Sequence, residues 1–155
     1  MKQYRPATVG DAVRVANDLR FEDLRELEGL GYDRLALVFS VLASEAPVAF
    51  HAKDGTIAGV AGVVPDADPG VGIVWMLCTP AVQKEPINFV KQAKQWLADE
   101  ERNYRLLWNL ADARNHLHQK LLKMLGFKAL RSIPTGPENL PYLEIIKLCA
   151  SPSSG

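Results

Sequence analysis

One apolar run constrains this chain more than any other: Val71-Gly-Ile-Val-Trp-Met-Leu-Cys78. It is nearly continuous in apolar character, as a strand buried on both faces would be. Thr79-Pro80 stops it. Helical patterning follows from about Pro86 to Asn103, and then a second strand-like segment, Tyr104 to Ala111. Strand, helix and strand in that order predict a local parallel pair with the helix as its crossover.

The flanking segments supply antiparallel partners. Lys2 to Arg5 reads as a short strand stopped by Pro6. Thr8 with Asp11 has the spacing of a capping box and predicts a helix start. Phe21, Leu24, Leu27 and Leu30 recur at helical spacing and predict an inward apolar stripe, ended by Gly29 and Gly31. Leu35 to Ser44 reads as another helix, ending before Pro47. Val48–Lys53 and Thr56–Val64 flank Asp54-Gly55, a strong hairpin signal. In the helix after Pro86 the expected stripe is Ile87, Val90, Ala93 and Leu97, flanked by Phe89 and Trp96. Asn115 to Leu125 predicts a helix with Leu117, Leu121, Met124 and Leu125 inward, closed by Gly126. Phe127–Ile133 and Tyr142–Cys149 read as final strands around a turn-rich loop, Pro134–Pro141.

No second domain or repeat is visible, so residues 1–150 are expected to form one domain, with residues 151–155 a small polar tail that frays. Eighteen basic residues balance eighteen acidic ones. That balance argues against a general nucleic-acid binder. No apolar run has the length of a membrane span, and no stretch resembles a signal peptide, so a cytoplasmic protein, or one carried in a particle assembled there, is expected. Cys78 and Cys149 lie in apolar runs with no metal spacing around them, and free buried thiols are the simpler reading.

The element order resembles the GNAT (acetyl-CoA-dependent N-acetyltransferase) fold. Leu106-Leu-Trp-Asn109, Asn115 before an amphipathic helix and the closing Leu125-Gly126-Phe127 resemble that family's strand, Asn and helix ending in Leu-Gly-Phe. The resemblance implies an α/β (α+β) fold, with a mixed, mostly antiparallel sheet of about seven strands flanked by about four helices. It also implies acetyl-CoA between the Val71–Cys78 and Tyr104–Ala111 strands, and a cofactor-binding set of Leu77, Cys78, Thr79, Gln83, Lys84, Asn88 and Asn115. The family's phosphate loop falls on Gln83-Lys84-Glu85-Pro86-Ile87-Asn88, where Pro86 and Asn88 stand at the two glycine positions. Pro86 removes one N–H from the cradle, and Glu85 brings a carboxylate near it. The family's thiolate-protonating Tyr falls on Leu122. No carboxylate lies on the Val71–Cys78 strand, so no catalytic residue is assigned. Within the family the chain looks most like short proteins of short-tailed bacteriophages, through Arg5-Pro6, Trp75, Thr79, Phe89, Lys91, Tyr104, Leu107-Trp108-Asn109 and Asn115. One of those proteins is an internal virion protein needed for DNA ejection.

His116 and His118 lie two apart on a helix and cannot share a ligand on one face, so surface histidines are expected, as for His51. Asn115 is a natural N-cap whether or not it also meets a ligand. Trp75, Trp96 and Trp108 read as core, and Lys120 and Lys123 as a solvated face able to border a cofactor. Three functions follow as expectations: a non-catalytic or degenerate virion component in the host cytoplasm or virion interior, an active N-acetyltransferase, or a host-directed interaction protein.

Overall fold

Thr8 begins the first helix as the spacing predicts. Its hydroxyl accepts from the Asp11 N–H at 3.1 Å, and the Asp11 carboxylate accepts from the Thr8 N–H at 2.9 Å. A computed structural model describes residues 4–149. The expectations for Lys2, Gln3 and the tail at 151–155 lie outside the described residues.

The order is β1 (Tyr4–Pro6), α1 (Val9–Ala16), α2 (Phe21–Gly29), α3 (Leu35–Ala43), β2 (Glu45–His51), β3 (Ile57–Pro65), β4 (Val71–Cys78), α4 (Pro86–Glu100), β5 (Leu106–Asp112), α5 (His116–Met124), β6 (Lys128–Thr135) and β7 (Leu140–Leu148). Short 3-10 turns, Pro80–Gln83 and Glu101–Asn103, flank α4. The seven strands form one sheet ordered β1-β2-β3-β4-β5-β7-β6, and every neighbouring pair is antiparallel except β4 with β5. This is the mixed α/β fold expected, with five helices.

Two apolar clusters lie on opposite faces of the sheet. Ala12, Val15, Leu27, Leu37 and Val41 pack with Ala49, Val60 and Leu77 on the α1–α3 side. Phe50, Val63, Val74, Phe89, Trp96, Leu107, Leu121 and Phe127 pack on the α4–α5 side. Phe50 sits edge-on to Phe89 and Trp96, at ring-centroid distances of 5.7 and 6.0 Å. Edge-to-face rings stabilise beyond their buried area.

Several inward faces differ from the predicted stripes. Phe21 is 69% exposed, whereas Asp23 and Glu26 on the same helix are buried. In α4, Ile87 is 74% exposed, and Phe89, Ala93, Trp96 and Leu97 form the buried side together with Gln92. Gln92 can be buried because its amide exchanges bonds with the His51 main chain. In α5, Leu117 and Met124 face out and Leu122 faces in. A short helix read without its neighbours leaves the stripe's rotation undetermined within about one residue, and the sheet it covers then selects the face. Pro6 and Pro47 fall inside strands, on the edge pair β1–β2, where a missing N–H is tolerated. The turn-rich loop is shorter than expected: Pro134 pairs with Pro141 and Thr135 with Leu140, leaving Gly136–Asn139 as the turn. Gly126 follows α5 at φ +93°, the left-handed conformation its closing role requires.

Candidate functional site: the split between β4 and β5

β4 and β5 pair at only three positions, Val71 with Leu106, Gly72 with Leu107 and Ile73 with Trp108. Beyond Ile73 they part. Each is pinned on its other edge, β4 by β3 from Gly72 to Cys78 and β5 by β7 along its whole length, so neither bends to follow the other. Asn109 stands where the ladder would continue. Its side-chain amide donates to the Val74 carbonyl at 2.6 Å, and its carbonyl oxygen accepts from the Leu110 N–H at 2.7 Å. Val74 and Cys78 both aim main-chain groups across the gap. Strand alternation directs the Met76 N–H and C=O to the same side.

Two carboxylates of α2 bridge the separated strand ends. Asp23 accepts from the Cys78 N–H at 2.8 Å, and Glu26 accepts from the Asp112 N–H at 2.7 Å. Their i, i+3 spacing places both on one helix face. Asp23 also accepts from Arg20 at 2.8 Å and from the Asn115 amide at 2.9 Å. His118 Nδ1 lies 3.1 Å from Glu26. Tyr142 donates to the Glu26 main-chain carbonyl at 2.6 Å, fixing α2 to β7.

Burial dominates the electrostatics. It raises the Asp23 carboxyl, with the charges of His118 and Arg20 pulling it back. It raises the Cys78 thiol well above its ordinary value, and Asp23 adds to the effect. For His118, burial is the largest influence and acts downward. The charge of Glu26, its hydrogen bond and the charge of Asp23 together outweigh burial and Arg20, and the pKa is raised to about 9. His118 is therefore an imidazolium at neutral pH, its side chain 16% exposed.

Two cavities meet at this cluster. The larger, about 470 Å³, reaches from Tyr32 and Phe39 beside α3, past Glu26 and Asn109, to Leu121 and Phe127 on the other face of the sheet. The smaller, about 320 Å³, lies between the start of α4 and α5, walled by Met76, Val82, Phe89, Val90, Leu121 and Met124. His118, Met76 and Leu121 line both.

The residues expected at a cofactor site separate into three groups. Leu77 lines the larger cavity, and Cys78 and Gln83 line the smaller. Thr79 and Asn115 are buried and engaged, Thr79 with the Ile57 carbonyl and the Ala81 N–H, Asn115 with Asp23 and the His118 N–H. Lys84 and Asn88 lie outside both cavity walls. Lys120 lines the smaller cavity. Glu85 turns away from the loop and accepts from the Lys53 N–H at 3.1 Å. His116 is exposed as expected, whereas His118 is a correction: the split packs it against α2.

Sequence reasoning missed Asp23, Glu26, His118 and Asn109 as a group. The one local signal was the i, i+3 pair of acids on α2, which reads as solvated until the sheet is in place. No protein-family model matches the sequence, and no curated protein matches it. Solved structures do. A GNAT-family acetyltransferase from Streptococcus pneumoniae superposes with a TM-score of 0.64 at 15% identity, over 95% of this chain and 98% of that one. A ribosomal-protein-alanine N-acetyltransferase from Brucella melitensis gives 0.69 at 15%, over 94% and 98%. A spermidine N-acetyltransferase from Vibrio cholerae, in complex with CoA and spermine, gives 0.70 at 10%, over 94% of each chain. The fold is that of the GNAT acetyltransferases. All three are bacterial proteins, and the likeness extends to the fold. Among the described residues, no helix of this GNAT-fold chain is long and apolar enough to cross a membrane.

The residues present fit part of an acyl-CoA. The smaller cavity has an apolar wall, and Met76 offers a main-chain donor and acceptor beside it, which suits an amide-bearing arm. The phosphate end is poorer. Pro86 stands at the first position of α4 and contributes no N–H.

Proposed function

We propose that the chain is an acyl-CoA-dependent N-acyltransferase in which His118, held by Glu26, handles the proton that the Tyr expected at Leu122 would otherwise supply. The observation that carries this reading is the position of His118. It lies on the wall shared by both cavities, one turn before Leu122 on the same face of α5. When bound, an acyl-CoA would supply an activated acyl thioester.

The chain's own residues do the rest. Met76 main-chain groups, the apolar wall and Gln83 hold the arm, and Lys120 supplies a cation at the rim. Glu26 fixes the imidazole through Nδ1, leaving Nε2 as its second proton site. An imidazolium with a pKa near 9 is well matched to protonating a departing thiolate at neutral pH. The cleft orients the amine beside Glu26, where it attacks the thioester carbonyl as the neutral base. His118 protonates the thiolate as the C–S bond breaks, and the imidazole left neutral takes the proton that the acylated nitrogen sheds.

A second reading is favoured by a different observation. Asp23 and Glu26 already occupy the N–H groups at the ends of β4 and β5. With Pro86 in the phosphate loop, that suits a non-catalytic GNAT-fold protein working through a protein surface, as a virion component or a host-directed one.

Calorimetry with acetyl-CoA separates the two. The transferase reading expects saturable binding and, at a hundred times Kd, a gain of about 2.7 kcal/mol in stability. It also expects His118→Gln to lower kcat with little change in acetyl-CoA affinity. Absence of binding at millimolar acetyl-CoA refutes it and leaves the non-catalytic reading.

A further inference from the structure

The larger cavity differs from the smaller one in where its charge lies. Among the described residues, the charge-bearing side chains on its wall are Glu26 and His118, both at the split. From there outward it is lined by Leu30, Ala36, Phe39, Ile73, Trp75 and Leu110. The few polar groups on this stretch are largely spent. The Trp75 indole N–H donates to the Ser44 hydroxyl at 2.7 Å, and both ends of the Asn109 amide are bonded to main chain. Burial follows the same gradient. Glu26 is 6% exposed at the inner end, whereas Phe39 is 66% and Tyr32 59% exposed at the outer end.

We propose that the acceptor entering this cavity is a monoamine carried on an apolar body, a ring or an alkyl chain, with its single amino group at Glu26. This rests on the transferase reading and names the substrate class of the same site. Glu26 is the one carboxylate on this wall, and with His118 and the Asp112 N–H already on its oxygens it has room for one amino group. A polyamine brings further ammonium groups. Along this wall they would meet aromatic and aliphatic carbon and no second carboxylate, and an unpaired charge removed from water is costly. The CoA and spermine complex of the Vibrio cholerae enzyme shares the fold at 10% identity. The wall of this chain selects a different acceptor. Exposed Phe39 and Tyr32 at the outer end give an apolar body a surface to leave water against.

The test uses the full chain, acetyl-CoA and two amines, 2-phenylethylamine and spermine. Thiol release gives kcat/KM, and tryptophan fluorescence gives amine binding without turnover. Phe39→Glu places a carboxylate on an exposed position of the wall and leaves the core intact. The expected result is a kcat/KM at least about tenfold higher for 2-phenylethylamine than for spermine, with Phe39→Glu narrowing the ratio by about tenfold. Equal or better use of spermine by the unaltered chain, while acetyl-CoA binds, overturns the substrate assignment and leaves the transferase reading standing. If acetyl-CoA does not bind, the transferase reading fails by itself. The cavity's preference is then read from fluorescence, where saturable binding of 2-phenylethylamine over spermine supports it and its absence overturns it. A dimer that Phe39→Glu dissolves, with amine preference unchanged, assigns the apolar wall to a second copy and also overturns the proposal.

Discussion

Glu26→Gln should destabilise the protein strongly at pH 6 and weakly at pH 10. The His118 pKa is about 9 in the fold against 6.5 for the free side chain. At 1.36 kcal/mol per pKa unit, that difference is a ceiling of about 3 kcal/mol of stability. A raised pKa contributes fully below 6.5, where folded and unfolded chains both hold the proton. The contribution falls between about 6.5 and 9, where only the folded chain holds it, and is gone above 9. Gln keeps the acceptor for the Asp112 N–H but removes the charge that holds the imidazolium. Loss of repulsion toward Asp23 partly offsets the change, because Glu26 helps to raise that carboxyl. The expected loss is therefore about 2–3 kcal/mol at pH 6 and under about 1 kcal/mol at pH 10. Urea unfolding of both chains at the two pH values measures it, with equal m-values as the check that the unfolded states match. Equal losses at both pH values, or a larger loss at pH 10, would refute the coupling of His118 to Glu26.

Three further outcomes follow from local geometry. Gly136→Ala should cost about 3 kcal/mol or more, read as a fall in Tm, because φ is +77° and an added Cβ would lie 1.8 Å from the Gly29 carbonyl oxygen. Thr8→Ala should cost about 1 kcal/mol by removing one half of the α1 capping box, measurable by urea unfolding. Under native conditions at pH 8, iodoacetamide followed by mass spectrometry should label half-buried Cys149 well before Cys78, whose thiol burial holds far from ionisation.

Much of the architecture was legible in the chain because its signals are local. The unbroken apolar run Val71–Cys78, the Thr8–Asp11 capping box, the Asp54-Gly55 turn, Asn115 opening α5 and Gly126 closing it each depend on residues within a few positions of one another. Together they determined the strand–helix–strand unit and hence one parallel pair in an antiparallel sheet. The crossover helix followed from it, whereas the separation of the two strands after Ile73 did not.

The chemistry of the cleft was decided only by tertiary structure. Asp23 and Glu26 have the spacing of a solvated helix face, and Phe21 made the opposite face look like the buried one, whereas Phe21 is exposed and Leu27 is buried beside the two acids. What reverses that preference is the pair of strand ends left without partners when β4 and β5 diverge. Cys78 and Asp112 each present an N–H that must be satisfied after burial, and two carboxylates 55 and 86 residues away satisfy them. Once those acids are buried they hold His118 charged, across 92 residues of sequence. A residue pattern encodes which segments will be strands and helices. It does not encode which buried main-chain groups those elements will leave unpaired, and here that shortage turns a helix and places the titratable groups.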